Sequence, residues 1–274
     1  MGKPVGRFSC CIGEEESILS GHLDHEEGLI RPIKTKRDPD VGPDVLMVMI
    51  PADVEYLLKR TPIGSLTSLD QGFFKIHQVR REGGNSIIFS GPFLGAPQAV
   101  MGMEKLIALG ARRIWVLGWC GSIQPDLKVG DLVVPTDAVS EEGTSHHYPI
   151  GPKKAATDHE LNRLLGESLT REGKPFRRGT VWTTDAPYRE TPSKVTRYRK
   201  RGVLAVEMEM SAMMTLSVYR SVRLAALLVV SDELSELKWH AGFRVSRFKE
   251  ISRFAADFLF CLFETGVDLG SGIG

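Results

Sequence analysis

Three apolar runs limit what this chain can fold into. Val45-Leu46-Met47-Val48-Met49-Ile50, Ile114-Trp115-Val116-Leu117 and Leu224-Ala225-Ala226-Leu227-Leu228-Val229-Val230 contain no charged residue. A strand with one face in water alternates apolar and polar residues, whereas a strand covered on both faces does not. Each run ends at a hard boundary: Pro51, Gly118, and Ser231-Asp232. The segments between them carry helical spacing. Gly95 to Ala108 sets Val100, Met103, Leu106 and Ile107 on one side and stops at Gly110. A final helix over about 243–265 aligns Val245, Phe248, Ile251, Phe254, Ala255, Phe258 and Leu262.

The rest of the chain fits the same alternation. Helices are expected over Val54–Arg60 with Asp53 as cap, over about 158–172 and 193–201, and over Glu209–Tyr219. Further strands are expected at Leu132–Pro135, Thr180–Thr184 and Leu204–Met208. The turn signal Gly83-Gly84-Asn85 makes a hairpin of Phe73–Arg80 and Ser86–Phe89. Strands interleaved with helices, plus one hairpin, predict an α/β fold with a mixed central sheet covered by helices. Residues 1–40 read as an irregular polar arm and 41–274 as a single domain. In such sheets ligands sit beyond the carboxyl ends of the strands, where Gly118–Gly121, Met208-Glu209 and Ser231-Asp232 all fall.

Charge and cysteine usage exclude other classes. Lys plus Arg number 35 against 34 acids, a net charge of +1 that offers no field to nucleic acid or an anionic membrane. The one basic cluster, 194–201, reads as a solvated helix face. No stretch approaches the roughly 18–20 apolar residues of a membrane span. The first residues lack an apolar signal core, so the cytoplasm is the expected compartment. Gly2 is not followed by the Ser or Thr of a myristoylation pattern. Cys10, Cys11, Cys120 and Cys261 have no metal-site spacing and read as reduced thiols. His22, Asp24, His25, Glu26 and Glu27 read as part of the polar arm, so no metal is expected.

Four blocks then carry a family resemblance: Gly91-Pro92-Phe93-Leu94-Gly95-Ala96-Pro97; Leu117-Gly118-Trp119-Cys120-Gly121-Ser122-Ile123-Gln124-Pro125 continuing to Lys128-Val129-Gly130-Asp131; Val206-Glu207-Met208-Glu209; and Val230-Ser231-Asp232. In this order and spacing they resemble the nucleoside phosphorylase and uridine phosphorylase family, over about Leu46 to Phe263. The resemblance implies a three-layer α/β/α domain with a distorted sheet, assembled as dimers or as hexamers built from three dimers. It also implies cleavage of the N-glycosidic bond of a nucleoside by phosphate, or by water in the nucleosidase branch. It calls for no cofactor beyond inorganic phosphate as co-substrate, and for a nucleoside as the small-molecule partner.

The resemblance assigns roles residue by residue. Glu209 matches the glutamate that takes the ribose hydroxyls, which an ionised acceptor binds best. Met208 matches the methionine lying against the sugar, soft enough to follow a flattening ring. Glu207 matches a second acid near the ribose. Asp232, beside Ser231, matches the acid that protonates the departing base. Gly121 and Ser231 fall among the substrate-binding positions, and Trp182 falls where the family stacks an aromatic on the base, with a core position as the equal alternative. The blocks Gly143-Thr144-Ser145-His146-His147-Tyr148-Pro149 and Thr183-Thr184-Asp185-Ala186-Pro187-Tyr188-Arg189-Glu190 also resemble family segments; they offer Ser145, His146 or His147 to ribose or base, and Asp185 and Arg189 to base edges.

The phosphate half of the pattern is missing. Ala52, Tyr56, Val116 and Trp119 stand where the family places its cradle glycine, two arginines and a hydroxyl. A dianion without fixed cations is poorly held in a partly dry site. Arg80 or Arg81 of the hairpin stand in for the arginine that the family takes from a neighbouring subunit, and Arg60 or Lys59, one turn along the first helix, for the rest. Otherwise water replaces phosphate, activated by Glu207 or Glu209. A nucleoside-binding protein without turnover is the remaining alternative, and the acid at 232 weighs against it, since binding alone needs no proton donor at the leaving group.

Overall fold

The structure, a computed structural model, describes residues 28–36, 38–61, 66–80 and 86–264. Among these residues, ten strands occupy Asp44–Val48 (β1), Leu66–Asp70 (β2), Lys75–Arg80 (β3), Ser86–Gly91 (β4), Arg113–Ser122 (β5), Leu132–Glu141 (β6), Phe176–Thr184 (β7), Ala205–Glu207 (β8), Arg223–Glu233 (β9) and His240–Ala241 (β10). The helices are Pro51–Arg60 (α1), Gly95–Ala108 (α2), His159–Arg171 (α3), Pro192–Lys200 (α4), Met210–Tyr219 (α5) and Ser246–Glu264 (α6). All the strands join one sheet in the order β10-β9-β6-β7-β8-β5-β1-β4-β3-β2, with β9 also paired to β5. Parallel pairs (β1 with β4 and β5, β5 with β9) and antiparallel pairs (β3 with β4, β5 with β8, β6 with β9) make the sheet mixed.

The uniform apolar runs have the predicted cause. Val45 and Met47 of β1 face the layer formed by α2 and α5, while Leu46 and Val48 face α1, α3 and α6. One layer packs Met103, Leu106, Met213 and Leu216 on the sheet; the other packs Leu57, Leu161, Leu165, Phe248 and Leu259. This is a three-layer α/β/α arrangement. Residues Met210–Ser217 of α5 are buried on every side, which explains a helix with no polar face. A smaller apolar cluster, Ile123, Trp182, Val195, Tyr198, Val203, Val206 and Leu234, sits around α4.

Three sequence expectations shift. Asp53 does not cap α1; Ile50 holds the cap position and Pro51 opens the helix, while Asp53 lies buried within the first turn. A Pro at the first helical position has no N–H to satisfy, so no capping side chain is needed for it. β5 does not end at Gly118 but runs on to Ser122, because β9 and β8 supply it with partners on both sides. β2 and β10, short and weakly apolar, were not expected. The hairpin strands pair as predicted, Arg80 opposite Ser86, with the Gly83-Gly84-Asn85 turn outside the described residues. Cys10, Cys11, Arg81 and the His22–Glu27 run also lie outside them. Among the described residues no helix is long and apolar enough to cross a membrane.

Candidate active site

The site is assembled where the carboxyl ends of the parallel strands β5 and β9 meet the short antiparallel strand β8. Along most of β5 the register with β9 is regular, Cys120 opposite Val230. The next pair is Gly121 opposite Asp232, so Ser231 is the extra residue of a bulge. Bulges re-aim side chains at strand ends. Ser231 Oγ donates to the Cys120 carbonyl at 3.3 Å and to Asp232 Oδ1 at 2.7 Å. Gly121 is also opposite Val206 of β8, the residue before Glu207. Gly121 therefore lies between the strand bearing Asp232 and the strand bearing Glu207. It has no room for a side chain: a Cβ there would lie 2.9 Å from Asp232 Oδ2 and 2.7 Å from Leu234 Cδ1.

Glu207 and Glu209 flank the half-exposed Met208, and both carboxyls are buried. Glu207 Oε2 accepts the backbone N–H groups of Glu209 and Met210, each at 2.7 Å, which ties it to the N-terminus of α5. Its Oε1 accepts the Thr183 hydroxyl of β7, and Thr183 Oγ1 in turn accepts the Ser211 N–H at 2.9 Å. Glu209 Oε1 accepts the Gly95 N–H at 2.7 Å, at the N-terminus of α2. Burial raises both acids, and the charge of Glu209 raises Glu207 further. Two carboxylates this close favour retention of a proton between them. The three donors on Glu207 oppose this rise without cancelling it, so Glu209 is the readier of the two to carry the negative charge.

Asp232 is half-buried. Burial raises its carboxyl, opposed by the donors Ser231 and Trp239, whose indole nitrogen lies 2.9 Å from Oδ2. Glu190 faces it: burial and then the charge of Asp232 push Glu190 up to about 7, against the pull of Lys194. Cys120 lies between the two acidic groups. Its thiol is pushed up by burial and by the charges of both Asp232 and Glu207.

Other expected residues fall elsewhere. Trp182 is fully buried against Tyr198, with ring centroids 4.7 Å apart, so it is a core residue and presents no face to a base. Its β7 neighbours alternate, so Thr183, not Trp182, points to the acids. Arg60 is turned to Asp257 of α6 at 3.2 Å, and Tyr56 donates to the same carboxylate at 2.7 Å, which commits that arginine away from the strand ends. Arg80 is an exposed residue of the hairpin. His147 and Arg189 are exposed on the 144–147 and 187–189 turns. Asp185 accepts the Gly143 N–H at 2.9 Å and so joins the end of β7 to the His146-His147 turn. Trp119 donates its indole N–H to Asp53 Oδ2 at 2.8 Å and packs edge-on against Phe248.

Three participants were missed from sequence. Glu142 is buried beneath the 144–147 turn and accepts from Ser140, Ser145 and Ser211. Burial raises it, but these donors outweigh burial and hold it below the ordinary carboxylate range. Glu190 and Trp239 lie in irregular segments with no periodicity to mark them.

Comparison with known proteins agrees with this architecture. The guanosine phosphorylase of Halorubrum lacusprofundi is 32% identical over 142 residues, covering 52% of this chain and 58% of that protein. The DeoD-type purine nucleoside phosphorylase of Bacillus cytotoxicus is 31% identical over 153 residues, 55% of this chain and 65% of its own length. The match thus spans less than two thirds of either relative. Among solved structures, the P. knowlesi homologue of P. falciparum PNP superposes with a TM-score of 0.69 at 24% identity, covering 88% of this chain and 97% of that one. Uridine phosphorylase from Vibrio fischeri superposes at 0.70 and 22% identity, covering 80% and 91%. At such identities these two likenesses speak for the fold. The family model described as the phosphorylase superfamily matches residues 44–259, and the chain belongs to that superfamily.

Proposed function

We propose that this protein cleaves the N-glycosidic bond of a nucleoside. The observation that carries the reading is the placement of Gly121 between Val206 and Asp232, which sets the Glu207–Glu209 pair and Asp232 on two flanks of one strand end. Glu209 takes the ribose hydroxyls and Met208 lies against the sugar. Asp232 gives its proton to the base as the C1′–N bond breaks and its electron pair moves onto the base. An oxygen nucleophile then bonds to C1′; where it is water, its proton passes to the Glu207–Glu209 carboxylate pair. Burial raises the proton affinity of this half-buried acid, the direction that proton donation to the base requires.

Phosphate is the nucleophile suggested by the names of the relatives, giving ribose 1-phosphate. A second reading, with water giving free ribose, is favoured by one observation. The carboxylate of Asp53, bonded to Trp119, lies beside the turn where the family resemblance expects a phosphate cradle. No further cofactor enters either route. The working form is a homo-oligomer, and the compartment is the cytoplasm, where nucleosides are salvaged. The test is a panel of purine and pyrimidine nucleosides, with and without phosphate, read by release of free base. Release that requires phosphate establishes phosphorolysis; release without it establishes hydrolysis. Intact nucleosides under both conditions would overturn the reading.

A further inference from the structure

The segment after β9 returns along the same strand. His240 and Ala241 pair antiparallel with Glu233 and Asp232, and the Gly242 N–H bonds to the Ser231 carbonyl at 2.8 Å. Gly242 permits this approach, since a Cβ there would lie 2.4 Å from Val129 Cγ1. The strap is thus pinned on the bulge that aims Asp232. Its register brings Trp239 to the carboxylate, with Nε1 2.9 Å from Oδ2. The indole is 64% exposed, so it covers one side of the acid from the solvent side. Phe243 supports it at 6.3 Å between centroids and continues to Trp119 at 5.9 Å.

We propose that Trp239 is a positioning residue that sets the protonation of Asp232, so that the strap of residues 235–245 fixes the pH range over which the base departs. This rests on the reading of Asp232 as proton donor to the base. A hydrogen bond given to a carboxylate stabilises its charged form. Asp232 receives two such bonds, from Ser231 on its own strand and from the strap. The other charged and titratable groups facing it are the Glu190 carboxyl, Lys194 of α4 beyond it, and the Cys120 thiol of β5. Glu207 lies past Cys120, and Glu233 with Lys128 and His240 lies along the strap. Of the two donors to the Asp232 carboxylate, the indole is the one that belongs to the strap. Its position ties the acid to the strap.

Trp239→Phe keeps an aromatic ring on Phe243 and removes the N–H. With one donor lost, the acid holds its proton to higher pH, by about one unit. The basic limb of the pH profile for nucleoside cleavage moves up by the same amount. The experiment compares wild type, W239F and D232N in two measurements: kcat/KM against pH, and the carboxyl titration of Asp232 by 13C NMR. An upward shift of both in W239F supports the proposal. An unshifted titration, or a shifted titration with an unmoved profile, overturns it. D232N tests the underlying reading separately: turnover equal to wild type would remove Asp232 from the chemistry, and with it the role of Trp239. Thermal melting of W239F matched to wild type confirms that the exposed site tolerates the change.

Discussion

Trp119 of β5 and Asp53 of α1 are joined by an indole N–H donated to a buried carboxylate at 2.8 Å. Ser252 of α6 gives its hydroxyl to the other oxygen, also at 2.8 Å. One acid therefore bridges the sheet and two helices of one layer. Burial nonetheless pushes Asp53 up from 3.8 to about 6, against both donors.

That shift has a sign. Between 3.8 and about 6 the folded protein binds a proton at Asp53 that the unfolded chain releases. Stability is therefore greatest below this window and falls as pH rises through it, by roughly 3 kcal/mol. In Asp53→Asn this contribution disappears. Melting temperature measured against pH for both proteins should diverge between about pH 4 and 6. Parallel curves would show that Asp53 titrates as an ordinary carboxyl.

Asp232→Asn retains an acceptor for Ser231 or Trp239 but has no proton to give. Turnover should fall by about 10²–10⁴-fold, with nucleoside affinity changed little. Equal losses in kcat and in affinity, from steady-state rates and equilibrium binding, would assign Asp232 to binding alone.

Glu209→Gln keeps a carbonyl oxygen for the Gly95 N–H, so the junction of α5 with α2 survives. The charge is lost. Hydrogen bonds to a charged acceptor are worth about 1.5–3 kcal/mol, so kcat/KM should drop roughly 10–100-fold. Unchanged kinetics in a folded variant would remove Glu209 from the ribose site.

Gly121→Ala places a methyl group against Leu234 and Asp232. Something at the strand ends must move, at a cost of about 1–3 kcal/mol. Turnover should fall more than tenfold, because the displaced group is the acid. A variant with wild-type turnover and lowered stability would show that Leu234 alone yields.

Glu142 collects donors from Ser140, Ser145 and Ser211. Glu142→Ala strands them and should cost about 3 kcal/mol in chemical denaturation. Glu142→Gln, which keeps one acceptor oxygen, should cost less. Faster amide exchange at residues 144–147 in the Ala variant would confirm that the turn depends on this carboxylate.

The layers of the fold were legible because uniform apolar runs and helical spacing are local consequences of burial on two faces or one. Val45 to Val48, α2, α5 and α6 follow directly from that. The carboxylates at 207, 209 and 232 were legible too, since they stand at the ends of those runs. Trp182 was ambiguous: a large aromatic in an apolar strand looks the same whether it faces a ligand or a core, and its burial against Tyr198 assigns it to the core. Asp53 was misjudged for a similar reason. A carboxylate near a helix start suits a cap, and nothing local announces that Trp119 and Ser252, 66 and 199 residues away, claim both its oxygens.

By itself the sequence determined which segments become strands and helices, and which acids stand at strand ends, because both depend on neighbours a few residues away. The tertiary structure decided which groups those acids meet. The Ser231 bulge, the Gly95 N–H on Glu209, the Thr183 hydroxyl on Glu207 and the Trp239 indole on Asp232 come from register and packing between distant segments. The proton affinity of a buried carboxyl depends on those meetings and on the water they exclude, and neither is written in the order of residues along the chain.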